Sequence, residues 1–141
     1  GAKQIDALRA AYEEADVQAT LTPFIEDTAQ AFAHADVVIA RAGASTVTEL
    51  AAIGVAAIYV PFPHAVDDHQ TTNAKFVVDA GGGWLVPQAE LTAQGLADLL
   101  QTLTREKLLE VAEKAYAIRK TDATEKTVAI CEQLTHLRGV A

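Results

Sequence analysis

The stretch Ala35-Asp36-Val37-Val38-Ile39-Ala40-Arg41-Ala42-Gly43-Ala44-Ser45-Thr46-Val47-Thr48-Glu49-Leu50 decides the fold. Val37-Val38-Ile39-Ala40 is a continuous apolar run without polar alternation, the pattern of a strand covered on both faces of a parallel sheet. Arg41-Ala42-Gly43-Ala44-Ser45 reads as a turn, and Val47, Leu50, Ala51 and Ile53 recur behind it at helical spacing. Gly54 stands where that helix needs a residue tolerant of positive φ at its end. Ala56 to Val60 is a second buried strand, stopped by Pro61 and Pro63.

The same alternation continues on both sides. Ile5, Leu8, Tyr12 and Ala15 predict an amphipathic helix over residues 3–15, and Val17 to Thr22 a strand that ends before Pro23. Ile25, Ala29 and Phe32 predict a helix over residues 26–34. Beyond the second strand, residues 69–80 read as helix, Gly81-Gly82-Gly83 as a break and Trp84-Leu85-Val86 as a short strand. Three helices follow. The first starts near Thr92, and the second carries Leu108, Val111, Ala112, Ala115 and Tyr116 on one face. The third starts at Asp122, with Glu125 in capping-box spacing, and runs through Val128, Cys131 and Leu134. Strands alternating with helices predict a doubly wound, Rossmann-like α/β domain. Because the chain opens on a helix, Gly1-Ala2 reads as the tail of a strand-to-helix loop, with the first strand of the domain missing.

Composition narrows the function. Half of the 141 residues are apolar and 21% are charged, the balance of a folded domain, and the size suits one domain. A net charge of −8 argues against nucleic acid and against an anionic membrane surface as partners of this chain. The uncharged run from Leu50 to Val66 is broken by Gly54, Pro61 and Pro63 and does not make a spanning helix. A single cysteine, Cys131, rules out an internal disulfide and a multi-cysteine metal cluster, and fits a reducing compartment. There is no methionine, so Gly1 is not a retained natural start. Lys3, Asp6 and Arg9 lie where a signal peptide would need an apolar core. The expectation is a fragment of a cytoplasmic protein.

Two places concentrate chemistry. Ligands of such sheets bind beyond the carboxyl ends of the strands. There, Gly43-Ala44-Ser45-Thr46 offers small residues, free N–H groups and two hydroxyls at a helix start, which favours an anion such as a phosphate. Glu49 suits a ribose diol. Thr46 and Glu49 equally match a Thr-x-x-Glu capping box that needs no ligand. Arg41 follows the strand and faces the same edge. The second place is the run Pro61–Ala74, dense in polar groups: His64, Asp67, Asp68, His69, Gln70 and Asn73. His64 and His69 lack the geometry of a metal pair, and no G-x-S-x-G elbow accompanies them. A sugar-binding edge and a solvated loop capped by Asp68 both fit. Trp84 and Cys131 read as packing residues, and His34 and His136 as surface residues.

Taken together, these residues resemble a known family. Ala35–Leu50 is similar to the nucleotide-sugar site of the MurG family of bacterial GT-B glycosyltransferases, and Val60–Ala74 to its sugar-contacting loop. Thr22-Pro23-Phe24-Ile25-Glu26-Asp27 resembles its uracil-holding segment, and Asp122-Ala123-Thr124-Glu125 the start of its last helix. The resemblance implies the C-terminal, donor-binding half of an enzyme that transfers N-acetylglucosamine from UDP-N-acetylglucosamine to lipid I, giving lipid II. It implies that the Ile25 backbone reads uracil and that Glu49 holds the ribose. It further implies that Ala44, Ser45, Thr46, Val47 and Thr48 bind the pyrophosphate, and that His69 and Gln70 contact the sugar. Gly43, Arg41, Asp68 and Asn73, inside the same motifs, are further candidates for contact with the donor. No metal and no cofactor are implied, since no D-x-D motif is present. The acceptor site, the general base and the membrane contact, on the cytoplasmic face of the bacterial inner membrane, belong by the same resemblance to a missing N-terminal domain. Alternatives are a single-domain donor subunit of a split GT-B enzyme, another UDP-sugar-dependent GT-B enzyme, and an α/β nucleotide module with another ligand.

Overall fold

The computed structural model describes residues 1–138, without the side chains of residue 66 and residues 136–138. Two compact units divide the chain, one up to Ala31 and one from Phe32 onward.

In the first unit a short 3-10 turn, Ala2–Gln4, leads into α1, Ile5–Glu14. Asp16, with φ 52, turns the chain out of that helix. No strand forms between Val17 and Thr22, which corrects the expectation of one there. Gln18, Ala19 and Thr20 are exposed, so this segment lacks the buried face that stabilises a pleated strand. Helix α2, Thr28–Ala33, starts two residues later than its periodicity predicts, because the Asp27 carboxylate accepts the Gln30 N–H at 2.8 Å.

The second unit is built on three parallel strands in the order β1 (Val37–Ala40), β2 (Ala56–Tyr59), β3 (Gly83–Leu85). The α/β class with a parallel sheet is thus as expected. All four residues of β2 are buried, so both faces of the central strand are covered. Helices α3 (Ala44–Ile53) and α4 (His69–Val78) connect consecutive strands and pack against each other. Helix α6 (Arg105–Ala117) packs against α3, β2 and β3. The core on this side joins Val47, Leu50, Ala57, Tyr59, Ala74, Val77 and Ala115. Tyr59 is fully buried and its hydroxyl has no hydrogen-bond partner among the described residues; burial pushes its pKa up to about 12.

Two glycines are fixed by geometry. Gly54 closes α3 with φ 78, as predicted. Gly83 is not part of a break but the first residue of β3, because a Cβ there would stand 2.7 Å from the Ala57 carbonyl oxygen. Helix α5 (Ala93–Gln101) and α6 begin at Thr92 and Thr104, whose hydroxyls accept the N–H groups of Gly95 (3.0 Å) and Lys107 (3.2 Å). Helix α7, Ala123–Arg138, begins one residue after Asp122, which pairs with Lys126 at 2.8 Å. Cys131 is exposed, as are Val128 and Leu134, so this helix face is not the packed one its spacing suggests. His34 is exposed as expected, and the side chain of His136 lies outside the described residues. No described helix is long and apolar enough to cross a membrane.

Candidate functional site

Because β1 and β2 run parallel, the loops that follow them, Arg41–Gly43 and Val60–Asp68, leave the same edge of the sheet. This is the edge where open α/β sheets bind ligands.

The first loop ends in Gly43, the N-cap of α3, with extended backbone (φ −62, ψ 148) and no side-chain cap. Val47 is the first residue of the helix to find a backbone acceptor, donating to Gly43 O at 3.0 Å. The N–H groups of Ala44, Ser45 and Thr46 precede the intrahelical ladder, and Ala44 and Ser45 are exposed. Three donors at the positive end of a helix dipole form a natural anion site. The capping-box alternative fails on geometry, since Thr46 lies inside the helix rather than at its cap. Glu49 is exposed, and its carboxylate has no hydrogen bond or ion pair among the described residues. Four residues after Ser45, it shares that residue's helix face. The Thr48 hydroxyl donates to Ala44 O at 2.8 Å. The side chain of Val47 is in the core and its N–H donates to Gly43 O.

The second loop is held to the first by side chains. Gln70 Oε1 accepts the N–H groups of Phe62 (2.9 Å) and Ala42 (3.2 Å). Both partners donate, which fixes the amide's orientation and leaves Nε2 without a partner among the described residues. Asn73 Nδ2 donates to Ala42 O at 3.1 Å. Arg41 Nη1 donates to Val60 O (3.2 Å) and Pro61 O (3.1 Å), Nη2 donates to Gln88 Oε1 (2.6 Å), and the guanidinium lies 5.6 Å from the centre of the Phe62 ring. Arg41 is thereby bound to both loops. Asp67 and Asp68 both have left-handed backbone, φ 54 and φ 50, a conformation that costs a non-glycine residue free energy. Asp68 caps nothing through its side chain; it accepts the Thr71 hydroxyl at 2.6 Å. His69 is exposed at the first position of α4.

Ile25 lies in the first unit, half exposed, and its backbone N–H and C=O have no partner among the described residues. Among the described residues, no group of three His, Cys, Asp or Glu side chains is placed to hold a metal ion. A depression of about 360 Å³, lined among others by Ala35, Asp36, Gly54, Val55, Arg105 and Leu109, opens at the other end of the strands. Its Asp36–Arg105 pair (3.2 Å) is exposed on both sides and contributes little.

The interlocking of the loops by Gln70, Asn73 and Arg41 was not legible in the sequence. Its only trace there is the spacing of Gln70 and Asn73, which puts both on one face of a helix start.

Residues 1–133 match the model of the glycosyltransferase family 28 C-terminal domain. Relatives in an Acidovorax species and an Azoarcus species are 65% and 58% identical over 134 and 138 residues. Both are named UDP-N-acetylglucosamine--N-acetylmuramyl-(pentapeptide) pyrophosphoryl-undecaprenol N-acetylglucosamine transferase. The matches cover 95% and 98% of this chain but 34% and 39% of those proteins, so the chain spans somewhat over a third of their length. The crystal structure of MurG from Acinetobacter baumannii is 44% identical and superposes with a TM-score of 0.88, over 94% of this chain and 39% of that one.

Proposed function

The chain belongs to the glycosyltransferase family 28 C-terminal domain family, and from that premise we propose that it binds the donor of a UDP-N-acetylglucosamine transferase. The observation that carries the reading is the open start of α3, where three N–H groups without intrahelical acceptors stand one turn from an exposed, unpartnered carboxylate. An anion-binding helix start beside a diol acceptor fits a nucleoside diphosphate better than a free phosphate, which has no use for Glu49.

In this reading the diphosphate of UDP-N-acetylglucosamine sits on the N–H groups of Ala44, Ser45 and Thr46, and Glu49 accepts the ribose hydroxyls. The sugar lies toward His69 and the Nε2 donor of Gln70. The reaction is inverting: an acceptor hydroxyl attacks the anomeric carbon as its bond to the diphosphate oxygen breaks. Negative charge then grows on the departing UDP, and fixed amides aimed at that charge stabilise the transition state more than the ground state. No metal is invoked. The acceptor is lipid I, and the product lipid II. Acceptor binding, the general base and contact with the cytoplasmic face of the membrane fall to the part of the protein beyond this chain.

Calorimetric titration tests the assignment. UDP and UDP-N-acetylglucosamine are expected to bind with 1:1 stoichiometry, and chelation of divalent ions with EDTA should leave the affinity unchanged. ADP should bind distinctly more weakly, and lipid I should not be turned over by this chain alone. A folded chain that gives no heat with UDP would remove the proposal.

A further inference from the structure

We propose that Gln70 is a positioning residue, tying the loop after β1 to the loop after β2 so that the α3 N–H groups and the sugar-facing loop move as one unit. The inference rests on the donor-site reading above and assigns Gln70 a role that acts through backbone rather than on the sugar alone.

The geometry carries it. Gln70 Oε1 has two lone pairs and spends both, one on Ala42 N–H and one on Phe62 N–H. These donors belong to loops that leave neighbouring strands. One turn further along α4, Asn73 takes the Ala42 carbonyl, so both polar groups of that fully buried residue are held by a single helix. A buried backbone N–H with no acceptor is costly, which makes the tie hard to replace by water. Arg41 closes the same gap in the opposite sense, from the first loop to the Val60 and Pro61 carbonyls. Gly43, the cap whose direction sets the first amides of α3, is the next residue after Ala42. Loosening Ala42 therefore loosens the anion site.

A residue that only read the sugar would change discrimination between UDP-sugars and leave UDP itself untouched. A tie changes UDP. In Gln70→Leu, UDP is expected to weaken about tenfold for one lost set of hydrogen bonds, and UDP-N-acetylglucosamine by at least that factor, since the Nε2 donor is lost as well. The amides of Ala42 and Phe62 should exchange with solvent faster, while those of Ile58 and Tyr59 in β2 keep their protection. Gln70→Glu retains an acceptor oxygen and should restore protection at Ala42 and Phe62. This comparison decides the matter even if the leucine variant does not fold.

Parent-like exchange at Ala42 and Phe62 in a folded Gln70→Leu would overturn the proposal. So would unchanged UDP affinity with a lost preference for the N-acetylglucosamine nucleotide, or a folded Gln70→Glu in which both amides stay unprotected. If the parent chain binds no UDP, the donor-site reading falls instead, and amide exchange alone decides the tie.

Discussion

Glu49→Gln is expected to weaken UDP by about 1–3 kcal/mol, the loss typical of a hydrogen bond to a charged acceptor. The carboxylate has no partner among the described residues and lies exposed on the face of α3 that carries Ser45. Nothing in the fold depends on its charge, so thermal stability should stay within about 0.5 kcal/mol of the parent, as for other surface positions. The 2′,3′-dideoxy analogue of UDP offers no diol, and its already lower affinity should hardly change on substitution. Paired calorimetry, parent against variant with both ligands, separates the contributions. Equal losses for UDP and the dideoxy analogue would assign Glu49 to the electrostatics of the helix rather than to the ribose.

The next residue gives the opposite result. Leu50 is fully buried in the core beside Val47, Tyr59 and Ala115. Leu50→Ala should destabilise the chain by about 2–5 kcal/mol, from lost transfer free energy plus the cavity left behind. That is a large share of the roughly 5–15 kcal/mol that holds a domain together. Urea unfolding should show a lower midpoint with an unchanged slope, the signature of lost stability without a change in the surface exposed. Neighbouring positions on one helix thus separate function from fold: the outward one sets affinity and the inward one sets stability. A Leu50→Ala chain as stable as the parent would mean that α3 is not seated on the sheet as described.

The parts of the fold that were readable are those written in local physics. The strands β1 and β2 are apolar runs bounded by turn residues, Gly54 is a left-handed helix end, and Thr92 starts its helix as a hydroxyl cap should. Val17–Thr22 misled because β-propensity reports fit to a half-buried surface, and of these residues only Leu21 is even partly covered. Gly83 misled because three glycines in a row look like a break. Only the close approach of the Ala57 carbonyl shows that the last of them belongs to a strand. At the site, the helix start after β1 was legible, while its cap was not: spacing favours Thr46 as a cap, and Gly43 takes that place. Gln70, Asn73 and Arg41 carry the largest gap between sequence and structure. Apart from the Gln88 side chain, their hydrogen-bond partners are backbone atoms between 8 and 31 positions away, and such bonds leave no periodic mark.

Where UDP binds decides the assignment of the donor site. Titrating UDP into uniformly ¹⁵N-labelled chain and following amide shifts reads this directly. The largest shifts are expected on Ala44, Ser45 and Thr46, with smaller ones at Ala42 and Phe62 through the shared Gln70 oxygen. Shifts centred instead on Ala35, Gly54, Val55 and Arg105, around the depression at the opposite end of the strands, would contradict the assignment.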